Sequence, residues 1–211
     1  MEQFISQLIL LIGLMMVALV SPGPDFVMTV KNSILNSRRA GLMTALGLAL
    51  GVIIHVTYCM VGLATVISKS ILLFNIIKYV GAGYLIYIGI MALRSKGFDG
   101  GIAVENGNKQ TMSDWQALSS GFITNLFNPK ATMFFLAMFT QIVDPHVPLS
   151  MQFVYGITCF SMTFLWFSIV ATILTVETVR SRFLRAAQWI DRICGAALIA
   201  LGVRLAITKM N

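Results

Sequence analysis

Two oppositely charged side chains stand at proline breaks inside apolar sequence. Ser21-Pro22-Gly23-Pro24-Asp25 carries an acid and Asn128-Pro129-Lys130 a base, 105 positions apart in a chain of 211 residues. At mid-membrane each charge costs about 2.5–3.5 kcal/mol on insertion scales, and proline leaves backbone carbonyls without their usual donor. Such charges must meet each other or a ligand carrying both signs, as an amino-acid zwitterion does. In the ligand reading, Lys130 and nearby amide donors receive a carboxylate, while Asp25 attracts an ammonium or takes a coupling proton. Carbonyls freed around Ser21 and Gly23, with the side chains of Asn125 and Asn128, complete the polar shell. In the other reading, Asp25 and Lys130 form a fixed salt bridge that locks two parts of the chain together. The candidate site is therefore Ser21, Pro22, Gly23, Pro24, Asp25, Asn125, Asn128, Pro129 and Lys130.

These residues need helices that stop and restart. Pro24 opens a new helical segment, and Asp25 in its first turn is favoured by the helix dipole and free amide donors. Lys130 holds the matching place after Pro129, where the dipole disfavours a cation, so it needs an anion or acceptor. The stretch from Phe4 to Asn36 would make a straight helix of about 50 Å against roughly 30 Å of hydrocarbon, so a bend is expected at Pro22–Pro24. Irregular backbone at that depth must face protein or a watery cavity.

The chain is 57% hydrophobic and only 11% charged, which places it in a bilayer. Six apolar spans are predicted: Phe4–Val20 continuing past the break, Leu42–Ile67, Ile71–Leu93, Leu118–Val143, Met151–Val176 and Ala186–Ile207. The fold class is thus an all-α membrane protein of six transmembrane helices arranged as two inverted three-helix repeats, the first helix of each broken at proline. One domain, 1–211, holds repeat one at about 1–98, a polar loop at about 94–115, and repeat two at about 115–211. Gly81-Ala82 with Leu85, Ile86 and Gly89 resembles Gly195-Ala196 with Leu198, Ile199 and Gly202, as the repeat demands. Gly47 and Gly51 share one helix face suited to close packing. Alternating access is expected from rocking one half against the other.

The net charge of +7 is explained by membrane orientation rather than nucleic acid. Ten of the fifteen Lys and Arg residues follow spans one, three and five. Lys69, Lys78, Arg204 and Lys209 lie on the other side, which puts both termini on the periplasmic or extracellular face. The segment Met1-Glu2-Gln3-Phe4 lacks a basic leader, so the first span is expected to remain in the protein. Cys59, Cys159 and Cys194 have neither disulfide nor zinc spacing and read as packing residues. His55 and Cys59 share a face on span two, but the ligands are too few for a metal site. Asp191 and Arg192 read as interface charges. With no phosphate loop, nucleophile motif or His-Glu metal pattern, neither an enzyme nor a cofactor is expected.

The motifs resemble those of the lysine exporter superfamily, in its homoserine/threonine-resistance (LysE/RhtB-type) branch of bacterial amino-acid exporters. The matching stretches are Ser21–Phe26, Arg38-Arg39-Ala40-Gly41-Leu42 with Gly47 and Gly51, Tyr79–Gly81 with Tyr84, Leu85 and Gly89, and Gly121–Leu126 running into Asn128-Pro129-Lys130. Trp189-Ile190-Asp191 with Gly195 and Gly202 is similar to the threonine-exporting members. The resemblance implies a secondary exporter of amino acids in the bacterial inner membrane, driven by proton antiport. Family members export threonine, homoserine, leucine, arginine or lysine. Asp25 is the one clear mid-membrane acid here, which favours small neutral substrates such as threonine or homoserine, or branched ones such as leucine. Partners are then the amino acid, protons and the bilayer, with a homo-oligomer compatible. The competing functions are a metal-ion or other small-solute exporter, which would need more acids or histidines, and a thiol-electron carrier, which would need a cysteine at each break.

Overall fold

The first break bends the chain where proline chemistry requires it. In the computed structural model, which describes residues 2–95, 112–142 and 148–207, α1 (Glu2–Val20) and α2 (Pro24–Leu35) meet at 57°. Gly23 is the extended N-cap of α2, Pro24 opens the helix, and Asp25 lies in its first turn. The second break separates α5 (Asp114–Leu126) from α6 (Pro129–Ile142). Between the breaks run α3 (Arg38–Lys69) and α4 (Ile71–Leu93), and after them α7 (Leu149–Ile173) and α8 (Glu177–Ile207). Every regular element among the described residues is helical. Most of the polar loop expected at about 94–115 lies outside those residues.

Several helix ends follow from capping. The Ser37 hydroxyl accepts the Ala40 amide at 3.1 Å and starts α3, four residues before the expected span. Ser70 alone joins α3 to α4, and its hydroxyl accepts the Leu73 amide. Ser113 and Gln116 form a reciprocal capping box at the start of α5, satisfying two orphan donors.

Among the described residues, three helices are long and apolar enough to cross a membrane, namely Arg38–Leu63, Ile71–Leu93 and Ser150–Ile173; the bent α1–α2 pair makes a fourth when taken as one span. Helices are also present where the fourth and sixth spans were expected, but they do not meet the same measure. Each half of the α5–α6 pair is too short alone at 13 and 14 residues. The last helix starts at Glu177 rather than Ala186 and carries Arg182, Arg185, Asp191 and Arg192. Long straight-chain residues such as arginine favour helix without being apolar.

Glycines set the closest crossings. A Cβ on Gly47 would lie 2.0 Å from the Leu118 carbonyl oxygen, and one on Gly121 would lie 2.2 Å from that of Thr44. These contacts, with Arg39 bonded to Asp114 near the helix starts and Gly51 against Asn125 further along, make α3 and α5 parallel. The α4–α8 crossing is reciprocal: a Cβ on Gly89 would meet the Gly195 carbonyl oxygen at 2.7 Å, and a Cβ on Gly195 would meet that of Gly89 at 2.6 Å. Gly202 faces the Ala82 carbonyl, so α4 and α8 run antiparallel. In lipid, such close backbone approach supplies the packing that the hydrophobic effect supplies in water. The most extensive helix packing, α3 on α5 and α4 on α8, therefore joins the front of the chain to the back. Rocking of one half against the other, as expected from the chain order, would have to part these crossings.

Candidate functional site

The two breaks meet around one cavity of about 50 Å³, against roughly 10–15 Å³ for a single water. Ser21, Gly23, Asp25, Asn125, Asn128 and Lys130 supply its polar lining, and Met15, Leu19, Phe26, Phe134, Phe135 and Phe167 supply apolar wall. An apolar chamber with a few convergent polar groups is the usual form of a small-molecule site.

Each charge is held by the opposite break. Asp25 accepts one hydrogen bond from the Asn125 side-chain amide at 2.7 Å and one from that of Asn128 at 2.9 Å. Lys130 donates to the Ser21 carbonyl at 2.7 Å and to the Ser21 hydroxyl at 2.9 Å. Asn128 uses both ends of its amide, because its Oδ1 accepts the Lys130 backbone N–H at 3.0 Å and so caps α6. Pro129 needs no such partner at the first position of that helix. Among the described residues the ion pair within 4.0 Å is Arg39 with Asp114 at the surface, not Asp25 with Lys130. The fixed-lock reading therefore lacks its direct contact.

Ser21, Gly23, Asp25, Asn125, Asn128 and Lys130 thus come together as the sequence suggests. Pro22, Pro24 and Pro129 act one step back, by shaping the breaks. Ser21, Asn125 and Asn128 are all buried.

A family model for the LysE type translocator matches residues 16–209. The chain belongs to the LysE-type translocator family. Among curated relatives of this translocator, the "Threonine efflux protein" of Salmonella typhi is 30% identical over 92% of this chain and 94% of its own length. The protein of the same name from Escherichia coli K12 is 29% identical over the same shares. The "Homoserine/homoserine lactone efflux protein" of Salmonella typhimurium is 35% identical over 65% of this chain and 66% of its own length. No solved structure gives a significant match. The family places the translocator among multi-pass membrane transporters rather than enzymes.

Four further polar side chains of the translocator are buried in its interior. His55 is buried and lies 3.0 Å from the Asn125 carbonyl oxygen and 2.7 Å from the Tyr58 hydroxyl. Thr163 lines the cavity while bonding back to the Cys159 carbonyl at 2.8 Å. Asp191, expected at the membrane interface, is buried and accepts from the Ser95 hydroxyl at 2.7 Å. Lys78, counted among the flanking charges, is buried in α4 with its ammonium 4.9 Å from the Tyr79 ring centre. For Asp191 and Lys78, linear distance along an apolar run misleads, because burial depends on which face the neighbouring helix covers. The three cysteines are free and buried, in keeping with a packing role.

Proposed function

We propose that this translocator exports small neutral or branched amino acids, such as threonine, homoserine or leucine, across the bacterial inner membrane by proton antiport. Supporting observations are the names of the relatives and the chemistry of the cavity. The observation that carries the reading is a carboxylate and an ammonium lining one cavity, each held by neutral groups of the opposite break. In this reading Lys130 exchanges Ser21 for the substrate carboxylate, with the Asn125 and Asn128 amides adjoining. Asp25 receives the substrate ammonium in one state and the coupling proton in another, and the phenylalanine-rich wall accepts a short side chain.

The same proposal takes 1–211 as one domain of six spans in two inverted repeats, both termini periplasmic. Support comes from the 105-residue spacing of the breaks, the reciprocal Gly89–Gly195 crossing, and the parallel α3–α5 and antiparallel α4–α8 pairs. These directions suit helices that traverse the bilayer alternately.

The deciding experiment measures efflux of threonine, homoserine and leucine from proteoliposomes with and without an imposed proton gradient. Wild type is expected to transport at least one of them in a gradient-dependent way, and Asp25→Asn is expected to lose that flux. Flux indifferent to the gradient removes antiport; flux indifferent to Asp25→Asn removes the site.

A further inference from the structure

His55 lies on α3, outside the residues that carry the charges, and only 1% of its surface is exposed. Its Nε2 is 3.0 Å from the Asn125 carbonyl oxygen. A carbonyl can only accept, so Nε2 bears the proton; in the neutral ring Nδ1 then accepts from the Tyr58 hydroxyl at 2.7 Å. In an unbroken helix this carbonyl would accept from the residue four positions later, but that residue is Pro129, which has no N–H. The Asn128 N–H reaches it at 3.1 Å instead, and His55 adds a side-chain donor from α3.

Asn125 also sends its side-chain amide to Asp25 at 2.7 Å. The space for that amide exists because residue 51 is glycine: a Cβ there would stand 2.7 Å from Asn125 Oδ1. The imidazole is stacked on Phe135, with ring centres 5.4 Å apart and planes inclined by 6°, and Phe135 lines the cavity. Backbone and side chain of one residue thus connect the imidazole to the carboxylate.

We propose that His55 is a positioning residue for export: its Nε2–H fixes the α5–α6 break at Asn125, and through Asn125 it aims Asp25 at the cavity. Tyr58 sets the tautomer that makes this possible. The proposal rests on the reading of Asp25 as the group that meets substrate or proton.

The test compares threonine, homoserine and leucine efflux by wild type, His55→Leu, His55→Gln, Tyr58→Phe and Asp25→Asn in the intact protein. His55→Leu removes the donor and is expected to raise KM at least tenfold. His55→Gln restores an N–H at comparable reach and is expected to keep at least a third of the wild-type rate, with Tyr58→Phe between the two. A folded His55→Gln as impaired as His55→Leu would overturn the proposal, because the donor alone would not suffice. Wild-type kinetics in His55→Leu beside an inactive Asp25→Asn would overturn it while leaving the cavity reading intact. Wild-type kinetics in Asp25→Asn would remove both. Should His55→Leu not accumulate, ¹⁵N-histidine NMR of the intact protein decides: a neutral ring protonated at Nε2 supports the proposal, and the Nδ1-protonated tautomer overturns it.

Discussion

Asp25 and Lys130 line the same cavity without forming an ion pair. The carboxylate takes its hydrogen bonds from Asn125 and Asn128, and the ammonium gives its own to Ser21. Neutral partners of this kind stabilise a charge yet can be exchanged for a ligand group of opposite sign. A buried pair in direct contact would resist that exchange, since removing one member strands the other.

Exchanging the two charges tests this directly. Asp25→Lys combined with Lys130→Asp should not recover efflux, because the Asn128 and Asn125 amides would then donate toward an ammonium. Transport by the double variant at more than a tenth of the wild-type rate would point back to a simple lock.

The two asparagines should not be equivalent. Asn128→Ala removes one bond to Asp25 and also the cap of α6, whereas Asn125→Ala removes the bond alone. A hydrogen bond to a charged group contributes about 1.5–3 kcal/mol, roughly a 10- to 150-fold effect on apparent affinity. Both variants are expected to lose affinity within that range in efflux kinetics, and Asn128→Ala should in addition unfold at lower temperature.

Ser21 offers a graded case. Ser21→Ala keeps the carbonyl that accepts from Lys130 and loses only the hydroxyl, so efflux should fall less than fivefold. Lys130→Met should abolish measurable export in the same assay while leaving membrane abundance comparable.

Helix crossings can be tested apart from transport. Gly47→Ala and Gly121→Ala place a methyl against backbone oxygen and should cost about 1–3 kcal/mol in detergent unfolding. Gly83 has nothing within 4 Å of a built Cβ, so Gly83→Ala should leave stability unchanged or raise it slightly through helix propensity.

How far the sequence reaches is instructive at particular positions. Pro22–Pro24 and Asn128–Pro129 announce their breaks because proline acts locally, and a charge beside each break in apolar sequence points inward on energetic grounds. Asp25 and Lys130 were therefore readable as neighbours of one cavity, but the choice of Ser21 over Asp25 as the lysine's partner depends on tertiary geometry. The burial of Asp191 and Lys78 was hidden for a related reason. In a membrane helix the lipid-facing and protein-facing sides are both apolar, so the polar-against-apolar periodicity that reveals a buried face in a water-soluble helix is weak here. His55 stood out in the sequence as a polar residue within span two, but its contact with the Asn125 carbonyl, seventy positions later in the chain, depends on how α3 packs on α5.

The glycine crossings carry a mechanical consequence. They stitch α3 to α5 and α4 to α8, so chain order and mechanical unit do not coincide, and the molecule is woven rather than hinged like a clamshell. The expectation that follows is that opening toward either side of the bilayer spares these crossings and uses the short broken segments, α1–α2 and α6, pivoting against an interlaced frame. Cross-links placed along the α4–α8 seam should accordingly leave turnover intact, whereas tethering α2 to α6 should arrest it.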